Sequence, residues 1–447
     1  MEAPRSLQNL ISYANFVNDT QKNERLFTMT AMAITPTEQI ELLIPNGFAR
    51  LCRFNTGRSD DCRIRVQIQP GVYQNRIVPH RDNLYIEVVE QTGMDRVMTR
   101  YRATPIDADD PAMEGNNTAT ANLESKDAVN MITVQFQLYE PGFGKLRNEP
   151  VSDILVMSTL DNAMHDLLCE PGEQLGLSGP DAWKGVDIEY PIDNDRTFKQ
   201  IVVPFGTRLI DLGSFLQNDD QFGIYNTGLG MYYRKGLWRI YPLVRMGRYE
   251  KARRVLNIYR LPENVFPTLK NTWIMDDKSL TILSTGGGAV NEDDTDIDRQ
   301  NKGVGKRIIS ADAVMGETGR YYSKGQAATT RGDSLSEYKT VNRQSGEEWV
   351  PTVVTPTGNI CKHLTESALN DVSITTLTWH NSMATLIDPC MPVRYYYMSG
   401  GESLMYREGS VAGIRSDYQM DTQSAQPIFR EHSAISIQIG MEEYSVK

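Results

Sequence analysis

Polar and apolar residues alternate with period two along several stretches of the chain, and those stretches set the expected architecture. Arg63-Ile64-Arg65-Val66-Gln67-Ile68-Gln69 puts every second residue on one face, as a strand with one side in a core must. Leu84-Tyr85-Ile86-Glu87-Val88 follows the same rule. So does Met131-Ile132-Thr133-Val134-Gln135-Phe136-Gln137-Leu138, which is rich in β-branched and aromatic residues. Pro45-Asn46-Gly47 and Pro70-Gly71 supply turn signals between runs, and the polar stretch 107–126 reads as a long loop. Residues 26–147 are therefore expected to form a first tube-like antiparallel β-barrel domain, preceded by a polar N-terminal arm over 1–25.

The period then changes. Leu160, Met164, Leu167 and Leu168 recur at i, i+4, i+7 and i+8, one face of a helix, with Ser158 placed as N-cap and Pro171-Gly172 as the stop. A shorter helix carries Leu209, Leu212, Phe215 and Leu216 after the strand-like Gln200–Phe205. Residues 148–224 thus read as a small mixed α/β domain. Strands resume with Gly230-Met231-Tyr232-Tyr233 and Leu237-Trp238-Arg239-Ile240-Tyr241, which flank Arg234-Lys235-Gly236 as a hairpin would. Further strands are expected at Val255–Tyr259, Leu280–Leu283, Val372–Thr375, Pro392–Tyr397, Gly409–Ile414 and Ala434–Ile439. Residues 225–285 and 370–447 together should form a second tube-like barrel. The fold class is mainly β with a smaller α/β part.

Between those two segments lies a long polar insertion, 286–369. It opens with Gly286-Gly287-Gly288, passes through the acidic run Asn291–Asp296 and holds few large apolar residues. Connections of this length without a core of their own usually bind something. Two expectations stand side by side: ordering against a neighbouring subunit or another protein through Ile308, Ile309, Val314, Tyr321, Tyr322 and Trp349, or an insertion that extends over the chain's own surface.

Composition narrows the function classes. With 40% hydrophobic and 23% charged residues the chain is an ordinary globular one, and no run approaches the roughly 18 apolar residues that span a bilayer. Met1–Arg5 begins no apolar secretion signal, so folding in a cytosol is expected. Cys52, Cys62, Cys169, Cys361 and Cys390 are odd in number and scattered, which argues for buried thiols rather than a disulfide framework or zinc ribbon. A net charge of −11 opposes general binding to nucleic-acid phosphates, and the basic stretch Arg245–Arg254 reads as a solvated face.

Candidate chemistry is sparse. Gly303-Val304-Gly305-Lys306-Arg307 lacks the first glycine, the Ser/Thr and the leading strand of a phosphate loop. Asp294, Asp296 and Asp298 have the opening spacing of a calcium loop, but Arg299 stands where glycine is needed and Gly305 where the bidentate Glu belongs. His80, His165, His363, His380 and His432 include no pair at helical spacing, Cys361 and His363 have no companions, and Arg331-Gly332-Asp333-Ser334 has no extracellular context. No catalytic, cofactor-binding or metal residue is assigned, and the chain is expected not to be an enzyme. Its 21 tyrosines and 5 tryptophans, many at strand positions, point to cross-strand packing and interfaces.

The order of features resembles the baseplate hub proteins of phage tails and related contractile injection systems. The residues that carry the likeness are Val134–Glu140 leading to Leu160–Leu168, then Val202-Val203-Pro204 through Leu216. Next come Ile224-Tyr225-Asn226-Thr227-Gly228-Leu229 and Trp238-Arg239-Ile240-Tyr241-Pro242. Leu256–Pro262 and Leu280–Thr285 are similar to the second barrel of such hubs, and Gly409–Tyr418 with Phe429–Ser433 to its closing strands. The resemblance spans roughly 25–440 in short patches. It implies a virion structural protein, three copies in a ring, and two barrels per copy matching a sixfold tube. The implied partners are the tail tube protein, a central spike and baseplate wedge proteins, with a lumen through which DNA passes without specific binding. Two other readings stay open: a neck, tail-completion or capsid-associated protein, and a carbohydrate-binding or carbohydrate-cleaving tail protein.

Overall fold

The computed structural model describes residues 7–20, 26–43, 48–55, 57–92, 95–106, 131–191, 194, 196–219, 221–244, 247–261, 271–285, 306–312, 317–323, 336–340, 350–351, 359, 361, 365, 372–399, 403–420, 428–440 and 443–446. The polar loop expected at 107–126 lies outside them.

In chain order the first strands are β1 (Phe27–Ile34), β2 (Gln39–Leu42), β3 (Phe48–Arg53), β4 (Asp61–Ile68), β5 (Tyr85–Thr92), β6 (Asp95–Pro105) and β7 (Ile132–Tyr139). A middle group follows: β8 (Pro150–Thr159), β9 (Gly185–Ile188), β10 (Thr197–Arg208), β11 (Leu229–Arg234) and β12 (Leu237–Pro242). Then come β13 (Val255–Leu261), β14 (Trp273–Met275), β15 (Ser279–Thr285), β16 (Lys306–Asp312), β17 (Glu317–Ser323), β18 (Ser336–Thr340) and β19 (Val350–Pro351). The last are β20 (Val372–Trp379), β21 (Pro392–Ser399), β22 (Ser403–Met420), β23 (Ile428–Gly440) and β24 (Tyr444–Ser445).

Eight of these close a purely antiparallel barrel in the order β22-β3-β4-β7-β6-β5-β1-β23, with β23 returning to β22. The alternation read at 63–69 is the cause: Ile64, Val66 and Ile68 point inward from β4 and meet Ile86, Val88, Val134, Phe136 and Leu138. Each such side chain contributes about 1.5–3 kcal/mol when fully buried. An eight-stranded barrel is just wide enough for side chains to fill. Aromatics do so at one end, where Phe48 and Tyr418 meet edge to face with centroids 5.0 Å apart. Six of the eight strands come from residues 27–139, and the other two come from the C-terminal part of the chain.

Those two, β22 and β23, form a long hairpin paired from Gly409↔Ile439 to Met420↔Phe429 with a bulge near Ala412. The first half of β22 pairs with β21 and its second half with β3. Likewise β23 pairs with β20 along Ser433–Gly440 and with β1 at Ile428 and Phe429. Each strand thus passes from the barrel into a second sheet. Gly409 makes the tight crossing possible, because a Cβ there would collide with the Gln438 carbonyl.

The second β unit runs β14-β15-β13-β21-β22-β23-β20. It is not uniform: β13 lies parallel to both β15 and β21. Where β15 faces β20, side chains make the connection. Ser284 Oγ donates to the Thr378 carbonyl at 2.7 Å, Thr272 Oγ1 to the His380 carbonyl at 2.6 Å, and Trp379 Nε1 to Thr272 Oγ1 at 3.0 Å. The core packs Trp379 and Leu377 against Ile258, Ile282, Val393 and Ile437.

Four expectations need correcting. The N-terminal arm is helical: Leu7–Thr20 presents Leu10, Ala14 and Val17, at i, i+4 and i+7, to Tyr259, Leu261, Leu283, Tyr396 and Leu404 of the second unit. The helix after β8 spans Leu160–Glu173, so Thr159 rather than Ser158 holds the N-cap position, and Pro171 and Gly172 fall inside the last turn. Pro70-Gly71 opens a run of short helical turns reaching Asn83 instead of a simple turn. Finally, the polar insertion contains a four-stranded antiparallel sheet, β18-β16-β17-β19, in which Ile308 stands opposite Tyr321 and Tyr338. The strand residues there are few and separated by long polar stretches, which hides them from a composition window. Val314 and Trp349 lie outside the described residues.

Candidate assembly surface

Among the described residues the mixed unit carries the densest group of exposed large apolar side chains. β8 and β10 form a two-stranded antiparallel ribbon with Ile154 opposite Val202 and Val156 opposite Gln200. One face is inward: Val151, Phe198, Ile201 and Val203 pack against Ala163, Met164 and Leu167 of the helix Leu160–Glu173. The other face is bare. Ile154, Val156, Met157 and Val202 are exposed, and Phe205 is 91% exposed at the irregularity between Val203 and Thr207. Among the described residues neither strand has a second ladder partner, so both edges of the ribbon are open. Open edges beside apolar side chains are sites where another chain pairs or packs.

The ribbon is mounted on a rigid junction. Asp60, after β3, is half-buried between Arg234 at 3.4 Å and Arg50 at 3.8 Å. It also accepts from the Tyr232 hydroxyl at 2.8 Å and the Cys52 thiol at 3.3 Å. Burial pushes its carboxyl up, but Arg234 and Arg50 outweigh that and hold it below the usual carboxylate range. Arg234 also donates to the Ile387 carbonyl at 2.6 Å. One ion cluster therefore ties the first barrel, the mixed unit and the second β unit together. Nearby, the β11–β12 turn is made by Lys235 and Gly236 alone, with φ of 54° and 79°, because Arg234, expected in the loop, pairs with Leu237. Glu140, just after β7, accepts from both their backbone N–H groups at 2.8 and 2.6 Å, and burial pushes its carboxyl up to about 7.

The sequence motifs scatter. Lys306 and Arg307 are strand residues of β16, while Gly303, Gly305, the Asp294–Asp298 carboxylates, Arg331–Ser334 and His363 lie outside the described residues. The basic stretch is internally neutralised in part: Arg248 pairs with Glu189 at 2.5 Å and Arg254 with Asp388 at 2.9 Å. Of the three consecutive tyrosines, Tyr396 stacks on Tyr259 at 4.4 Å and Tyr395 on Tyr397 at 5.5 Å, on opposite faces of β21. The five cysteines are free thiols, Cys169 lying 3.6 Å from His165 Nε2 one helical turn away. Sequence reading missed β8 and hence the ribbon. The available signal was the run Ile154-Leu155-Val156-Met157, apolar on both faces of a strand, followed by Val202 and Phe205 outside any core pattern.

No protein-family model matches the chain, and no curated protein does. Among solved structures it is similar to the 43 kDa tail protein of prophage MuSo2 from Shewanella oneidensis, at 10% identity and a TM-score of 0.39, covering 93% of this chain and 100% of that one. It is also similar to a chain of the lidded Francisella PdpA-VgrG complex, at 9% identity and a TM-score of 0.36, covering 99% of this chain and 57% of that one. A third is the E. coli c3393 protein, a component of the type VI secretion system with structural similarity to the T4 bacteriophage tail proteins gp27 and gp5. There the identity is 10% and the TM-score 0.39, with 93% of this chain and 79% of that one covered.

Proposed function

We propose that the chain is a structural protein of a phage tail, a baseplate hub whose copies close into a ring between the tail tube and the central spike, with wedge proteins outside. The observation that carries this reading is the pair of β units fused in one chain through the shared β22–β23 hairpin. A threefold ring of such chains offers six β units, two from each copy, to a sixfold neighbour and a threefold edge to another. The bare face of the β8–β10 ribbon provides apolar surface for packing between copies, which in obligate assemblies amounts to more than about 2,000 Å². The chain's net charge of −11 lets DNA pass such a ring without adhering. No catalysis is needed in this role. Native mass spectrometry of the full chain tests it: three copies per particle are expected, and a monomer at every concentration up to tens of micromolar overturns the ring.

A further inference from the structure

Two histidines that the assembly reading leaves unused stand side by side. Trp379 of β20 pairs with Ser433 of β23, so His380 and His432 come next in that register, directly opposite each other. His432 also faces Asp417 across the β22–β23 ladder. The two Nδ1 atoms are 3.3 Å apart and the ring centres 5.3 Å apart.

The two rings are within hydrogen-bond reach of each other. The same spacing also suits two ligands of one ion: nitrogens bound to a tetrahedral ion at about 2.05 Å lie about 3.3 Å apart, with ring centres about 5.2 Å apart. We propose that His380 and His432 form a two-histidine site for a divalent first-row transition ion.

The backbone that carries both histidines is held before any ion arrives. The His380 carbonyl accepts from Thr272, Trp379 before it is buried, and the Ser382 amide donates to the Glu431 carbonyl at 2.9 Å. The Ala384 amide is held by the Glu431 carboxylate at 3.1 Å, and Asn381 takes the left-handed φ of 48° that the turn requires. His432 sits between buried Glu431 and Ser433, the latter bonded to both Ser382 and Ser416. Asp417 is engaged by Arg415 at 3.3 Å. Among the described residues no group of three or more His, Cys, Asp or Glu converges, so the pair offers an ion two protein ligands. Imidazole pairs of this kind suit Zn²⁺, Ni²⁺ and Cu²⁺, with Cu²⁺ bound most tightly. A bound ion would pin the end of β20, the outer strand of its sheet, to a strand that belongs to both barrels.

The test is titration calorimetry of the full chain with Zn²⁺ and with Ni²⁺ at pH 7.5. A Cys169→Ser background removes the competing His165–Cys169 pair. One ion per chain is expected, with affinity falling at least tenfold in His380→Asn and equally in His432→Asn. Cu²⁺ titrated into the unsubstituted protein should give an electron paramagnetic resonance spectrum with two nitrogen ligands, a readout that needs no variant to fold. No uptake of ion, uptake unchanged by both substitutions, or a Cu²⁺ spectrum with a single nitrogen would each overturn the site.

Discussion

The two β units close themselves by different means. In the first barrel every neighbour is joined by an antiparallel backbone ladder, so the wall is continuous and the side chains are left to fill the centre. In the second, β13 runs parallel to its neighbours, and the β15–β20 seam is bridged by Ser284, Thr272 and Trp379 side chains. A ladder distributes closure over many weak, replaceable bonds. A seam concentrates it in a few residues, each with a measurable share.

The largest effect expected from that difference is at Trp379, which is fully buried and donates across the seam. Trp379→Ala should cost about 3–5 kcal/mol, measured by urea unfolding. Amide exchange should rise in β15 and β20 before it rises in β4 and β7. Equal loss of protection in both units would make them one cooperative body and erase the contrast.

Next in size is Glu140, which ties the end of the first barrel to the β11–β12 turn. Its carboxyl titrates near 7 when folded and in the ordinary carboxylate range when unfolded. Between those values the folded state holds a proton that the unfolded state has released, so stability is lost as pH rises from about 4.5 to 7. The wild type should lose up to about 3 kcal/mol relative to Glu140→Gln across that window. A constant difference between the two proteins from pH 4.5 to 7.5 would contradict the assignment.

A smaller effect is expected at Ser284, whose hydroxyl bonds the Thr378 carbonyl. Ser284→Ala should cost about 1–2 kcal/mol, with the loss localised to the seam when exchange is read residue by residue. The smallest effect on the subunit is at the bare ribbon. Phe205→Ser touches no core and should change unfolding free energy by less than about 0.5 kcal/mol, while reducing the copy number seen by native mass spectrometry. Unchanged assembly would remove Phe205 from the interface.

Much of the first barrel was legible because one face of each strand is wet. Alternation at 63–69 and 131–138 then reports burial directly, and β4 and β7 fall on those residues. The second unit was legible as strands but not as a mixed sheet, since Val255–Tyr259 and Leu280–Leu283 read the same in parallel and antiparallel ladders. The N-terminal helix was missed because Leu10, Ala14 and Val17 make a narrow stripe, wide enough to lie on a barrel wall but too weak to stand out of a polar segment. The ribbon was missed for the opposite reason: apolar residues on both faces of β8 break the pattern that marks a half-buried strand. His380 and His432 are 52 residues apart and meet through ladder register, which no local spacing encodes.

The shared hairpin also imposes an order of events. Strands β1 to β7 leave the ribosome early, yet the wall they form stays open until β22 and β23, made much later, slot in beside β3 and β1. Closure therefore waits for that hairpin, and a chain interrupted anywhere before Ser403 exposes two unpaired barrel edges rather than one finished domain. Ribosome-bound chains halted near residue 400 should leave β1 and β3 open to protease, and chains extended through β23 should protect both at once. By this route the late hairpin works as a proofreading step, because copies that lack it never present a closed barrel.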